Sequence, residues 1–293
     1  MQTETFVVPK FYTDEFMQKH EGKFFSSKGL KIFKDNVDIF DEQGKPICKF
    51  RKNVLTPEEC QCLFQLNGAA KLGKTRPSAS GIPPEGKYKY IISKSTGKKL
   101  HVLTTQSRSG IVGFWDTLSN FGHKHDKHAN DSKKPKCRTT AYTGTHLEQY
   151  KDCLPVFQKI NKIFKELVPK QYSKQKKAIG LIDSQFIIPK TIFTTVTVNK
   201  NFRTALHKDS GDCKEGFGNL VVASCGNYTG GYTLFPQYQF GIDCKNGDFL
   251  AMDVHTWHCN SELNGDGTRI SFVFYLREKM QKTCPKQVNE LDQ

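Results

Sequence analysis

Residues 207–209, His-Lys-Asp, set an imidazole and a carboxylate two positions apart. In an extended chain such side chains point to the same side. Alone, the pair reads as an ordinary hydrogen-bonded His–Asp couple at a strand end. His258 changes that reading, because it lies 49 residues on, at the end of the run DFLAMDVHTWHCN. Two imidazoles and one carboxylate on neighbouring strands cover one face of an octahedral metal and leave three positions open, an arrangement that suits non-haem iron. A hydrolytic zinc site takes the same donors. His255 competes with His258, and in an extended H-T-W-H segment the two point to opposite faces. Spacing alone leaves that choice open.

Arg269 and Ser271 narrow the chemistry. They stand at i and i+2 in TRISFVFYLR and face the same way. A guanidinium inside a β-core needs an anion, and a dicarboxylate provides one, gripped by a bidentate fork with a hydroxyl beside it. A structural Asp is the plainer partner. The order H-x-D, then His, then R-x-S eleven residues later is more specific than any of its parts, and it favours iron with a dicarboxylate co-substrate over zinc.

The elements that must hold these groups come from the second half of the chain. From residue 179 the sequence breaks into short β-rich runs, among them TIFTTVTVN, NLVVASC, DFLAMDV and RISFVFYLR, with Gly, Asn and Asp between them. Evenly spaced short strands predict a sandwich or jelly-roll barrel. The first half reads mainly as helices and loops. Residues 35–55 resemble a hairpin turning at Gly44. Thr56-Pro57-Glu58-Glu59 opens a helix with a capping box. Residues 147–177 carry apolar side chains at helical spacing, interrupted by Pro169. The expected fold class is α+β: a double-stranded β-helix (jelly-roll) core at 179–280 with a helical, loop-rich N-terminal buttress at 1–178 and a tail at 281–293, all in one domain.

Charge divides the chain in the same place. Residues 1–180 carry 33 Lys+Arg against 17 Asp+Glu, and residues 181–293 carry 11 against 12, which together make the net +15. A basic half beside a neutral half predicts a polyanion partner, with the lysines of 71–99 and 122–136 as the expected phosphate contacts. No run of 18 apolar residues exists, so no membrane helix is expected, and the N-terminus has no secretory pattern. The ten cysteines are therefore expected as reduced thiols.

The segments TVNKNFRTALHKDSGD, YTGGYTLFP, GDFLAMDVHTWHCN and TRISFVFYLR resemble the TET/JBP branch of 2-oxoglutarate dioxygenases, on its thymine-hydroxylating side. RSGIVGFWD and CRTTAYT are weaker echoes upstream. The resemblance implies Fe(II) held by His207, Asp209 and His258, and 2-oxoglutarate held by Arg269 beside Ser271. It implies a role for Asn199 and Arg203 in fixing the co-substrate or the base. It also implies O2 as co-substrate and hydroxylation of the 5-methyl group of thymine or 5-methylcytosine in DNA. A base in a duplex would have to be flipped out to reach the iron. The sequence shows no counterpart of the cysteine-rich zinc region of the animal TET enzymes or of a separate base-J-binding domain, so the resemblance does not fix targeting or substrate preference.

Phe114, Trp115 and Phe217 are candidates to stack on a base, and each is equally readable as a core residue. His123, His125 and His128 sit among lysines that repel cations, and Cys60-x-Cys62 lacks a partner pair, so no second metal site is expected. Cys259 reads as a small core residue. The competing functions are a 2-oxoglutarate hydroxylase acting on RNA or protein, and a basic DNA-binding module with a structural metal. A monomer in a nuclear or other DNA-containing intracellular compartment is the expectation, with KKPK at 133–136 as a weak nuclear signal.

Overall fold

A computed structural model describes residues 3–71, 79, 89–92, 99–102, 108–117 and 136–286. The loop 122–136 lies outside them except for Lys136, as does most of 71–99. The three histidines and most of the lysines singled out there therefore have no structural account.

The chain runs β1 (Glu4–Val8), α1 (Asp14–Lys19), β2 (Lys31–Phe33), β3 (Val37–Asp41), β4 (Pro46–Arg51) and α2 (Pro57–Phe64). The strands β5 (Lys89–Ile92), β6 (Lys99–Val102), β7 (Ser109–Trp115) and β8 (Arg138–Thr139) follow. Four helices come next: α3 (Ala141–Thr145), α4 (Leu147–Asp152), α5 (Leu154–Leu167) and α6 (Pro169–Ile179). Then come β9 (Thr195–Lys200), β10 (Gly218–Cys225), β11 (Thr229–Gly230), β12 (Thr233–Phe235), β13 (Phe240–Ile242) and β14 (Phe249–Met252). The last elements are β15 (Cys259–Asn260), β16 (Leu263–Asn264), β17 (Thr268–Tyr275) and α7 (Met280–Thr283).

Nine strands form one sheet in the order β1-β3-β4-β14-β10-β17-β9-β7-β8, and four form a second in the order β15-β12-β13-β2. Five of the nine (β1, β3, β4, β7 and β8) precede residue 180, so the first half supplies much of the sheet as well as the helices. That corrects the expectation of a mainly helical half. The predicted hairpin is β3 with β4, but β1 lies parallel to β3 from Glu4↔Val37 onward. A parallel pairing across some thirty residues leaves no local turn signal.

The large sheet is buried on both faces, and the two-residue period of its strands sorts side chains between two cores. In β10, Val221 and Ala223 face the helices while Leu220 and Val222 face the small sheet. On the helix side, Phe157 and Phe164 of α5 meet Phe193 and Phe274. The capping box that starts α2 is present, with Thr56 Oγ1 and the Glu59 carboxylate each accepting the other residue's backbone N–H.

Eight cysteines are free thiols, and Cys137 and Cys284 are paired as a disulfide. That pair departs from the expectation of thiols throughout. It joins the start of β8 to the end of α7, 147 residues apart, a proximity that only tertiary folding creates.

Phe274 is fully buried between Phe157, at 5.0 Å, and Phe193, at 5.6 Å. Phe274→Ala should destabilise the domain by about 3–5 kcal/mol, measured as a lower midpoint of denaturant unfolding at unchanged slope.

Candidate metal centre and its cavity

The three candidate donors converge through backbone pairing. His207 and His258 form an isolated antiparallel bridge, with each amide donating to the other's carbonyl at 3.0 Å. The Asp209 amide donates to the Val254 carbonyl at 2.9 Å. The expected strand at 207–209 is thus an extended loop with ladder-like bonds and no continuous ladder, which still preserves the i, i+2 geometry. His207 Nε2 lies 3.5 Å and His258 Nε2 3.9 Å from the two Asp209 oxygens. The donor atoms of the three residues all lie within 4.8 Å of one another.

Both imidazoles are oriented in the same way. His207 Nδ1 lies 2.8 Å from the Ala205 carbonyl, and His258 Nδ1 lies 2.9 Å from the Thr256 carbonyl. A carbonyl only accepts, so each Nδ1 carries the proton and each neutral ring offers its Nε2 lone pair. Burial holds the His258 pKa down to about 4, helped by the neighbouring His207 and opposed by Asp209, so the ring is neutral near pH 7. His255 is turned away. It sits in the turn after β14, with its amide and Nδ1 on the Asp253 carboxylate.

These side chains line a cavity of about 550 Å³. Its wall is the face of the large sheet that carries polar residues. Along β17 the apolar Ile270, Phe272 and Phe274 point to the helices, while Ser271, Val273 and Tyr275 line the cavity. Ser271 pairs with Asn199 of β9, which pairs with Ser109 of β7, and Ser109 Oγ donates to Asn199 Oδ1 at 2.6 Å. Ser271 and Asn199 therefore stand side by side in the wall. From the second sheet, Thr233 adds a buried hydroxyl with no hydrogen-bond partner among the described residues.

Arg269 is buried on the same strand face, two residues before Ser271, and is not itself among the lining residues. Its Nε and Nη2 have no hydrogen-bond partner among the described residues. A buried guanidinium in that condition is a site for an anion. Gly231 explains part of the YTGGY run. It has φ +68°, and a Cβ there would lie 3.0 Å from Arg269 Cδ and 2.8 Å from Leu263 Cδ1.

The other named residues separate. Trp115 lines the cavity, with the Arg277 guanidinium 4.3 Å from its ring centre. Phe114 packs against the core and meets Phe186 edge-on. Phe217 is almost wholly buried in that same core. Neither of these two reaches the cavity, because β7 and the segment before β10 turn those side chains inward. Arg203 faces a different hollow. Its guanidinium donates to the Phe25 carbonyl at 3.3 Å and lies 4.9 Å from the Phe24 ring.

Sequence reasoning missed Arg277, Asp212 and Asn260, all of which line the cavity. Arg277 was within reach of it: the period-two count that selects Ser271 continues through Tyr275 to Arg277. Its Nε lies 3.5 Å from the buried carboxylate of Asp116, at the end of RSGIVGFWD. Gly211 makes room for it, since a Cβ there would lie 1.7 Å from Arg277 Nη1. Asn260 takes a hydrogen bond from Thr204 Oγ1 at 2.7 Å, a contact no local pattern announces.

The donor set fits Fe(II), with two neutral imidazoles and a carboxylate on one side, and the orphaned Arg269 fits a co-substrate carboxylate. The comparisons with known proteins agree with that chemistry. The pattern of Tet_JBP, the oxygenase domain of the 2OGFeDO superfamily, matches residues 123–278, just over half of the chain. A bifunctional helicase and thymine dioxygenase JBP2 of Trypanosoma brucei brucei is 34% identical over 181 residues, 60% of this chain and 15% of that protein. The JBP2 of Leishmania infantum is 33% identical over 273 residues, 90% of this chain and 21% of that protein. The chain thus spans about a fifth or less of the length of these relatives. Among solved structures, one described as NgTET1 in complex with 5mC DNA shares the fold, with a TM-score of 0.53 and 14% identity over 96% of this chain and 98% of that one. The chain belongs to the TET/JBP family of Fe(II)- and 2-oxoglutarate-dependent oxygenase domains.

Proposed function

We propose that this domain hydroxylates the 5-methyl group of a pyrimidine, thymine or 5-methylcytosine, in DNA. The observation that carries the reading is the His207–Asp209–His258 cluster, lining a cavity near a buried Arg269 whose Nε and Nη2 have no hydrogen-bond partner among the described residues, within a TET/JBP oxygenase domain. The relatives named as thymine dioxygenases support thymine as one substrate.

In this reading His207, Asp209 and His258 hold the metal, and Arg269 takes the distal carboxylate of 2-oxoglutarate with Ser271 and Asn199 alongside. Bound Fe(II), with 2-oxoglutarate and O2, supplies the oxidising power that places one oxygen on the methyl carbon while the co-substrate leaves as succinate and CO2. The chain contributes orientation and exclusion of water. The Ala205 and Thr256 carbonyls keep both Nδ1 protons in place, so the two Nε2 lone pairs stay directed at one point. The apolar Leu220, Met252 and Val273 in the wall keep water from the reacting carbon. A volume of about 550 Å³ lies within the ordinary range for a small-molecule site, with room for the co-substrate and a flipped base. Trp115 is one of the aromatics at that cavity, with Phe202 and Tyr275, and is the one we assign to stack on the base. Arg203, which lines a different hollow, is left out of this reading. The compartment implied by a DNA substrate is an intracellular one, and no helix among the described residues is long and apolar enough to cross a membrane.

The decisive measurement is nucleoside mass spectrometry after incubation with Fe(II), 2-oxoglutarate and duplex DNA containing both thymine and 5-methylcytosine. The expected product is a 5-hydroxymethyl nucleoside accompanied by succinate. Succinate formed with RNA or peptide, and none with DNA, would overturn the reading.

Asp209→Ala should abolish both Fe(II) binding, followed by calorimetry, and turnover, because two imidazoles cannot hold the facial arrangement. The unfolding midpoint of the metal-free protein should stay near that of wild type. Retention of wild-type turnover would remove Asp209 from the ligand set.

Arg269→Met keeps most of the aliphatic bulk and deletes the unpaired charge. The half-saturating concentration of 2-oxoglutarate should rise by at least tenfold, since a charge-assisted pair in a closed site is worth about 2–5 kcal/mol. The requirement for DNA should barely move. A loss confined to DNA binding would instead place Arg269 against the nucleic acid.

A further inference from the structure

Away from the metal, a second cleft of about 620 Å³ opens between the β3–β4 turn, the start of α6 and the segment 214–217. Five lysines line it: Lys45, Lys49, Lys170, Lys174 and Lys214. The carboxylates among its described lining residues are Glu215 and Asp253. Lys45 reaches Asp253 at 2.5 Å, Lys174 reaches Glu215 at 3.1 Å, and Lys49 reaches Asp38 at 2.7 Å. Lys170 and Lys214 are exposed and have no carboxylate within ion-pair distance among the described residues.

The arrangement brings like charges from three separate parts of the chain to one concave surface. Their mutual repulsion opposes the folded state, and an extended anion relieves it. Lysine suits this task, being a mobile point charge that meets phosphate oxygens without demanding a fixed geometry.

The cleft is mechanically tied to the metal cavity. Asp253, which anchors Lys45, immediately precedes Val254, whose carbonyl takes the Asp209 amide. Residues 207–212 line the cavity and residues 214–217 line the cleft, so a single loop separates them. Lys214 follows Asp209 by five residues, a reach of at most about 18 Å. A DNA strand presents a phosphate at every nucleotide, a rise of about 3.4 Å along the duplex, so a strand whose base enters the cavity has backbone within that distance.

We propose that this cleft holds the phosphodiester backbone flanking the base that enters the metal cavity. The assignment rests on the reading of the domain as a DNA hydroxylase. It adds, to the phosphate contacts expected of the lysines of 71–99 and 122–136, a cleft built by β3, β4, α6 and the loop after Asp209.

The test is duplex DNA binding by the full chain, measured across about 50 to 200 mM salt. The double variant Lys170→Gln/Lys214→Gln is compared with wild type and with Lys19→Gln/Lys34→Gln, which removes the same charge elsewhere on the surface. The cleft variant should lose about 1.8 from the steepness of log affinity against log salt, about 0.9 for each lost phosphate contact. The control should keep the wild-type slope, and both variants should keep its thermal midpoint. A cleft variant with the wild-type slope, or an equal change in the control, overturns the proposal. So does poly-glutamate that binds wild type and not the cleft variant while the DNA slope stands, which would assign the cleft to an acidic protein. Absence of any wild-type DNA binding would defeat the hydroxylase reading itself, whereas failure of the slope comparison alone leaves that reading intact.

Discussion

The reciprocal backbone pair between His207 and His258 is the constraint on which the site depends. Two amide–carbonyl bonds of 3.0 Å fix the relative position of residues 51 positions apart, more rigidly than side-chain contacts could. With the backbone set, each imidazole needs one further restraint, and each finds it in the carbonyl two residues upstream. The rings then sit with centres 4.4 Å apart. Asp209 is brought in by a separate bond, shifted in register by the turn at Asp253–Thr256, to the Val254 carbonyl. The segment after His258 passes directly into β15, which pairs with β12, so one side of the bridge is anchored in the small sheet.

The large sheet supplies the other wall, and its burial on both faces makes the polar row on β17 informative. A strand packed between helices and a second sheet has no solvent face on which to place Ser271 or Arg269. Keeping them there costs stability unless a ligand answers them, a common feature of functional sites. Thr233 belongs to the same pattern, as a buried hydroxyl without a described partner. The Trp115–Arg277–Asp116 group shows another solution: there the guanidinium is answered by a buried carboxylate and an indole face, and Gly211 leaves the space it occupies.

The surface repeats this division between answered and unanswered charge. Lys45, Lys49 and Lys174 are held by carboxylates, Lys174 in an exposed pair of the kind that contributes little to stability and Lys45 and Lys49 against the largely buried Asp253 and Asp38. Their effect is positional, since they fix ammonium groups around a concavity that Lys170 and Lys214 complete. Binding over such a surface is governed by counterion release and hence by salt, whereas the cavity beside it is governed by shape and by the metal.

Much of this was legible in local pattern. The H-x-D pair, the distal His and the R-x-S pair are short-range arrangements whose side-chain direction follows from strand geometry, and the capping box of α2 and the break at Pro169 follow from single-residue chemistry. The large sheet's two cores were implicit in runs such as NLVVASC, where apolar residues fall at both parities. Tertiary structure alone decided the rest. Whether Phe114 and Phe217 would stack on a base or join the core depended on which way their segments turned, and both joined the core. Arg203 stands in the same segment as Asn199 yet faces another hollow. The parallel pairing of β1 with β3, the meeting of Cys137 with Cys284, the Arg277–Asp116 pair and the lysine cleft all join residues far apart in the chain. Such contacts are set by how whole elements pack, and no periodicity within one element encodes them.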